Sequence, residues 1–173
     1  QTCAKKIGAA PDMAEYLAGR EEGLRQYCNP SNGYRIGAAG SHYYGVCTGP
    51  EGDDFAAAYE AGRHLYTLQA AVDKASEAIY QAQNDLKAVK HDIAHAEQAL
   101  VSLDTPHKER IEYLAELKEL SEERGRIETA IIALLRDHAR AEEELAEYQA
   151  FIAESGPYPR MGATAPSPAS YAN

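Results

Sequence analysis

Apolar residues recur with the spacing of an α-helix through the middle of this chain, and polar residues fill the positions between them. From residue 65 to residue 103, apolar side chains recur at intervals of three and four residues without a break. This spacing keeps them on one stripe of an α-helix, and such a stripe packs against a second helix as a coiled-coil seam. The members of this first seam are Leu65, Leu68, Val72, Ala75, Ile79, Ala82, Leu86, Val89, Ile93, Ala96, Leu100 and Leu103.

A second seam of nearly the same length follows after a short break. Its members are also spaced by three or four residues. Two such seams joined by a turn near residues 104–106 predict an antiparallel coiled-coil hairpin over residues 55–155, with arms of roughly 50 residues or about 75 Å each. The members of the second seam are Tyr113, Leu117, Leu120, Arg124, Ile127, Ile131, Leu134, His138, Ala141, Leu145, Tyr148 and Ile152.

The break and the polar seam residues lead to finer predictions. Thr105 is expected to cap the second helix, with Pro106 at its first position. Arg124 and His138 are expected to fix the register of the hairpin, and Asp92 is expected to pair with Arg124 across the seam. The alternative for His138 is a functional switch, because histidine changes its charge near neutral pH.

The front and the end of the chain lack this periodicity. Residues 12–27 are predicted to form a helix, and residues 29–54, which contain six glycines, to be mostly irregular with at most short helical turns. Residues 1–7 read as the end of a helix and residues 8–11 as a turn. The predicted fold is therefore all-α, with a small disulfide-stapled domain over 1–54, the hairpin over 55–155 and an extended Pro-rich tail over 156–173 that lies on a partner surface.

Tyrosine and glycine recur together at helical spacing near the front of the chain. The repeats Tyr16-x-x-Gly19, Tyr34-x-x-Gly37 and Tyr59-x-x-Gly62 each put the two residues on one helix face. The favoured interpretation is close helix packing, because glycine lets another backbone approach. The alternative is a tyrosine cluster that binds carbohydrate or peptide. Together with the tail, the possible interaction residues are Tyr16, Tyr27, Tyr34, Tyr43, Tyr44, Tyr158, Pro159 and Tyr171.

Three cysteines, Cys3, Cys28 and Cys47, lie within the first 47 residues. Cys3 and Cys28 would stand at opposite ends of an antiparallel helix pair, beyond the reach of a disulfide. Cys28 and Cys47 close a loop of about 20 residues, and a bond there would stabilise the glycine-rich segment by about 3 kcal/mol. We therefore predict the pair Cys28–Cys47, with Cys3 free or bonded outside this chain.

Composition and motifs narrow the function classes. A formal net charge of −10 disfavours binding to nucleic acid and to anionic lipid. The chain has no P-loop, dinucleotide-binding, nucleophile-elbow or zinc-protease motif. We therefore expect no enzyme activity, no cofactor and no bound metal. His91 and His95 share a helix face and could bind a metal as an alternative, but the sequence places no third ligand beside them.

The front of the chain resembles a known family over about residues 1–70. The matching stretches are Ala14 to Cys28 (AEYLAGREEGLRQYC), Asn32 to Gly37 (NGYRIG), Tyr44 to Cys47 (YGVC) and Ala58 to Arg63 (AYEAGR). They resemble the proteobacterial envelope lipoproteins of domain-of-unknown-function family 2799. This resemblance implies export across the inner membrane, a periplasmic or outer-membrane-associated location and, in many members, a lipid anchor on an upstream cysteine that this chain does not contain. The family has no assigned activity.

Two functional hypotheses follow from these observations. The first is a non-enzymatic accessory or scaffolding subunit of a bacterial envelope assembly, which docks through the front domain and the tail and uses the hairpin as a rod. Its partners would be other proteins of that assembly, or further copies of itself. The second is a periplasmic glycan- or peptidoglycan-binding module with a coiled-coil spacer. Membrane contact is expected only through the upstream lipid anchor.

Overall fold

The computed structural model describes residues 12–156, and every structural statement below concerns those residues. They form four helices, and no strand occurs among them. The all-α prediction is confirmed. The predictions for residues 1–11 and for the tail beyond residue 156 lie outside the described residues. The helices are α1 (Met13–Tyr27), α2 (Pro30–Ala38), α3 (Gly49–Val101) and α4 (His107–Ser155).

The chain divides into two compact units. Among the described residues, the N-terminal unit contains residues 12–67 together with 147–156, and the hairpin unit contains residues 68–146. The first turns of α3 and the last turns of α4 therefore belong to the N-terminal unit. The division drawn from the sequence at residue 54 differs from this one, because the short helices pack on the beginning of α3.

The hairpin unit is built on the seam that the sequence predicts. Along α4, the seam residues of this unit are at least partly buried, and nearly all of the residues between them are exposed. Along α3, the most buried seam residues are Val89, Ile93 and Ala96. Leu103 was predicted as the last seam member, and this is wrong. Because α3 ends at Val101, Leu103 lies in the turn and its side chain is 94% exposed.

The turn of the hairpin is closed by side chains that bond to the end of α3. The Thr105 hydroxyl donates to the Ala99 carbonyl at 2.7 Å, so Thr105 closes α3 and its predicted role as the cap of α4 is wrong. Arg110 donates to the Ser102 carbonyl at 2.8 Å and to the Thr105 carbonyl at 3.0 Å. These bonds satisfy carbonyl groups that the end of a helix leaves without partners.

Two polar residues lie in the seam as predicted, but only one of them bonds across it. The Nε2 atom of His138 lies 2.9 Å from the Ser76 hydroxyl, which belongs to α3. The predicted pair between Arg124 and Asp92 is not formed. Arg124 instead extends along its own helix and approaches Glu128 at 4.0 Å, while the exposed Asp92 contacts its neighbour His91.

The N-terminal unit contains more helix than the sequence predicted. Asp12 caps α1 by accepting hydrogen bonds from the backbone N–H groups of Ala14 and Glu15. Asn29 caps α2, and Pro30 follows at the start of that helix. The prediction of a mostly irregular segment over residues 29–54 is wrong, since α2 takes nine of these residues and α3 begins at Gly49.

Candidate functional site

The core of the N-terminal unit is centred on Phe55. Its side chain is 0% exposed, and its ring lies 5.4 Å from the ring of Tyr27 and 4.7 Å from that of Tyr43. The ring of Tyr43 also lies 5.5 Å from the ring of Tyr59. Sequence reasoning did not single out Phe55, although it is one of only two phenylalanines in the chain. The scarcity of phenylalanine was the signal in the sequence that could have marked Phe55 as a core residue.

Two of the three tyrosine–glycine repeats face each other where α2 crosses α3. A Cβ atom on Gly37 would overlap the carbonyl oxygen of Tyr59, and a Cβ on Gly62 would overlap the carbonyl oxygen of Tyr34. The two glycines therefore have equivalent roles, and each lets the backbone of the other helix come close. This arrangement agrees with the interpretation of the repeats as close helix packing.

The predicted disulfide is present between Cys28 and Cys47, with their Cα atoms 5.5 Å apart. It ties the end of α1 to the segment just before α3. The Tyr43 hydroxyl accepts a hydrogen bond from the Cys47 backbone N–H at 2.9 Å, which fixes the same segment a second time. A disulfide of this kind indicates an oxidising compartment outside the cytoplasm.

Tyr148 brings the end of α4 into the core of the N-terminal unit. It is almost fully buried, its hydroxyl donates to the Ala61 carbonyl at 2.9 Å, and its ring makes an edge contact with His64. Burial raises the pKa of the Tyr148 hydroxyl, and the nearby Tyr34 raises it further. The sequence marked Tyr148 only as a seam residue.

The possible interaction residues of the sequence separate into three groups. Tyr27, Tyr34 and Tyr43 are half-buried, and Tyr27 and Tyr43 pack on Phe55. Tyr16 and Tyr44 are exposed, at 60% and 82%, and His42 contacts the Tyr44 ring edge-on. The remaining three, Tyr158, Pro159 and Tyr171, lie outside the described residues.

Helix α1 carries several exposed apolar side chains of the N-terminal unit. Met13, Tyr16 and Leu17 are all more than half exposed, at 58%, 60% and 56%. On the same helix, a Cβ atom added to Gly19 or Gly23 would meet nothing within 4 Å. We call these five residues the α1 face. It contains the third tyrosine–glycine repeat, and that repeat packs on no other helix within residues 12–156.

Two open clefts adjoin the disulfide. The larger has a volume of about 350 Å³ and is lined by Arg25, Cys28, Asn29, Pro30, Glu51 and Asp54. The smaller, of about 180 Å³, shares Arg25, Cys28 and Glu51 with it and reaches Leu24 and Val46. Arg25 forms an exposed ion pair with Glu21 at 3.4 Å. The clefts therefore combine apolar walls with exposed charges of both signs.

Residues 12–156 contain no group of three or more His, Cys, Asp or Glu side chains able to hold a metal ion. The alternative of a metal at His91 and His95 therefore gains no third ligand there. None of the helices in the same stretch combines the length and the apolar character needed to cross a bilayer.

Comparison with known proteins supports the resemblance of the front of the chain. The model of a family described as a protein of unknown function (DUF2799) matches residues 1–64. The matched segment includes α1, α2, both disulfide cysteines and the crossing of Gly37 with Gly62. The resemblance predicted from the sequence is confirmed over this segment. Comparisons with curated proteins and with solved structures found no match.

Proposed function

We propose that this chain is a non-enzymatic docking subunit of a bacterial envelope assembly. In this proposal it works in the periplasm or at the outer membrane, and the α1 face binds a helix of a partner protein. The disulfide supports a compartment outside the cytoplasm. The family match over residues 1–64 supports the link to envelope proteins, which comes from the resemblance of the sequence.

The main support for the proposal is that the three tyrosine–glycine repeats differ in their packing. The repeats of Tyr34 and Tyr59 pack on each other within the N-terminal unit, and their glycines allow the two backbones to touch. The repeat of Tyr16 has the same spacing and lies on an open helix surface. The crossing of α2 with α3 shows that such a repeat can pack closely on another helix. We therefore infer that the repeat of Tyr16 also binds a helix, in this case one of a partner protein.

The chemistry of the α1 face suits such a helix. Gly19 and Gly23 have no side chain and open space around them, so a partner backbone can approach α1 closely there. Tyr16 and Met13 on the same helix offer exposed apolar side chains to such a partner. Burying the three large side chains of this face would each contribute about 1.5–3 kcal/mol before the costs of association are subtracted. Since α1 is capped by Asp12 and fixed at its other end by the disulfide, little order has to be gained on binding.

The hairpin unit would serve as a brace or spacer in the same assembly. Its α3 segment, residues 68–101, spans about 50 Å at the rise of an α-helix. The seam holds the two helices together, and most of the remaining surface is polar and exposed. A paired helix of this length is stiffer than a single helix or a loop, which suits a spacer.

Site-specific crosslinking in the native bacterium tests this proposal. A photo-crosslinking amino acid at Arg20, one turn after Tyr16, is expected to capture one defined envelope protein through a helix. Gly19→Leu and Gly23→Leu are expected to abolish that product, because the added side chains keep the partner backbone away from α1. Both variants should fold well, because leucine favours helix over glycine by up to about 1 kcal/mol per site.

Gly125→Leu is the matched control for the crosslinking test. Gly125 is also helical with nothing within 4 Å of its added Cβ, but it belongs to the hairpin unit. This variant should keep the crosslinked product. If the product survives both substitutions on α1, or if no protein is captured at Arg20, docking through the α1 face is wrong.

The exposure of Tyr44 favours a second candidate function. An exposed aromatic ring beside His42 is a surface on which a sugar ring of peptidoglycan could stack. Binding of the intact protein to purified peptidoglycan sacculi, weakened at least tenfold by Tyr44→Ala and unchanged by Tyr80→Ala, would support this glycan-binding function. Tyr80 is an exposed tyrosine of the hairpin unit and serves as the control.

A further inference from the structure

The turn of the hairpin carries large apolar side chains that face solvent. Leu103 is 94% exposed and Val101 is 80% exposed, and Ile111 and Leu114 in the first two turns of α4 are more than half exposed. We call these four residues the tip. Exposed aliphatic side chains are common singly, but four of them within fourteen residues around one turn call for an explanation.

The backbone of the tip is held in place without help from these side chains. Thr105 bonds to the Ala99 carbonyl, and Arg110 bonds to the carbonyls of Ser102 and Thr105. The Asp104 backbone N–H also donates to the Ser102 hydroxyl at 3.3 Å. These polar groups thus have internal partners, so a partner protein could cover them without leaving them unsatisfied.

The tip continues the packing surface of the seam. Leu100 and Leu103 keep the spacing of the α3 seam, but α3 ends at Val101 and Leu103 has no opposite residue on α4. The side chain that would close the seam therefore points into solvent. A surface that continues a helix–helix interface is suited to more helical, apolar protein.

The charges around the tip set a second requirement on the partner. Asp104 and Glu109 are exposed and make no ion pair within residues 12–156, whereas Lys108 approaches Glu112 at 3.9 Å and Arg110 is engaged by the turn. The unpaired charges of the two carboxylates favour a basic rim on the partner. They also disfavour an anionic membrane surface.

The size of the tip argues against a contact between two tips. Four aliphatic side chains of this kind bury about 100 Å² of apolar area each. That sum is about half of the roughly 800 Å² that each partner contributes to a stable interface. A flat contact with a second copy is therefore too small, and a concave surface that also wraps the flanks of the turn is needed.

We propose that the tip is a second docking site, which inserts Leu103 into an apolar groove with a lysine- or arginine-rich rim on a helical partner protein. Leu103 fills the groove, Val101 and Ile111 cover its edges, and Asp104 and Glu109 pair with the rim. The tip belongs to the hairpin unit and the α1 face to the N-terminal unit, so the two docking sites are tested with different residues.

The test uses the full protein in its native envelope, with a photo-crosslinking amino acid at Lys108. The side chain of Lys108 is 90% exposed, so the probe does not disturb the packing of the turn. We expect a product with one envelope protein, and mass spectrometry should place the crosslink at an apolar groove with basic residues at its rim. Leu103→Glu should reduce the product at least tenfold, and Asp104→Lys should reduce it less.

Ile132→Glu is the matched control, since Ile132 is an exposed aliphatic residue of α4 away from the turn. It should leave the product unchanged. Equal losses for Leu103→Glu and Ile132→Glu would overturn the proposal, as would a crosslink only to lipid, only to a second copy of this chain or to nothing. A product at a polar surface without a basic rim would also contradict it.

Discussion

The two units of this protein pack their helices differently, one around a compact aromatic core and the other along an extended seam. The N-terminal unit buries a few aromatic rings completely and brings the backbones of α2 and α3 into contact through glycines. The hairpin unit spreads its apolar contacts along a seam that is half-buried for most of its length. A periodic seam tolerates local changes, because each residue contributes a small share. A small core centred on one phenylalanine tolerates local changes poorly, because a single residue contributes a large share of its contacts.

Glycine shows the contrast most directly. In the N-terminal unit Gly37 and Gly62 lie against the backbone of a neighbouring helix, so no other residue fits. In the hairpin unit Gly125 has open space around it and only lowers the stability of its helix. The same residue type is therefore required in one unit and dispensable in the other.

The largest effect is expected from placing leucine at these two kinds of glycine. Gly37→Leu would force α2 away from α3 and should destabilise the N-terminal unit by about 4 kcal/mol or more, at the upper end of the range for overpacking. Gly125→Leu should stabilise the hairpin unit by up to about 1 kcal/mol. Hydrogen exchange followed separately for α2 and for residues 72–100 would measure both effects. Comparable effects at the two sites would refute the contrast.

An intermediate effect is expected from removing the disulfide. Changing both Cys28 and Cys47 to serine should destabilise the N-terminal unit by about 3 kcal/mol, since the bond closes a loop with a sequence separation of 19. Amide exchange in α2 and in residues 39–48 should accelerate strongly. The hairpin unit should keep its protection, and a similar loss of protection in both units would show that their stabilities are not separate.

The smallest effect is expected at the Tyr148 hydroxyl. Tyr148→Phe keeps the ring but removes the hydrogen bond to Ala61, which should cost about 1 kcal/mol at neutral pH. Because the pKa of Tyr148 is raised above its usual value of 10.0, the folded protein holds this proton more tightly than the unfolded chain. Its contribution to stability is complete below pH 10 and is lost as the pH rises through the higher folded pKa.

Alkaline denaturation tests whether the contribution of Tyr148 to stability is lost as the pH rises. The wild-type protein should lose more stability above pH 10 than Tyr148→Phe does, so the difference between them should shrink there. Tyr80→Phe, at an exposed position of the hairpin unit, should follow the wild-type curve. A constant difference between wild type and Tyr148→Phe across this pH range would contradict the role of burial.

Two errors of sequence reasoning lie at the turn of the hairpin, where one helix ends and the next begins. Leu103 fits the seam by spacing, and Thr105 fits a helix cap by residue type. Both expectations failed because the bonds of Thr105 and Arg110 to the carbonyls at the end of α3 close the turn in another way. Arg124 and Asp92 failed as a pair because a nearer carboxylate, Glu128, lies on the same helix.

The missed helix α2 has a different cause. Its glycines lower the intrinsic preference for helix, so a local reading of the sequence favours an irregular segment. In the folded protein Gly33 and Gly37 lie against α3, and the packing that only glycine permits offsets this loss. The tyrosine–glycine repeat was the local signal for such packing, but it did not reveal which repeats would meet.

The sequence by itself determined the all-α fold, the hairpin with its seams, the helix α1 and the pairing of Cys28 with Cys47. These features depend on spacing along the chain, on residue types at helix ends and on loop length, all of which are local properties. The tertiary structure alone decided that Phe55 is the centre of a core, that Gly37 meets Gly62, and that the repeat of Tyr16 and the side chain of Leu103 remain open. Those features depend on which surfaces meet in space, and no periodicity along the chain records that choice.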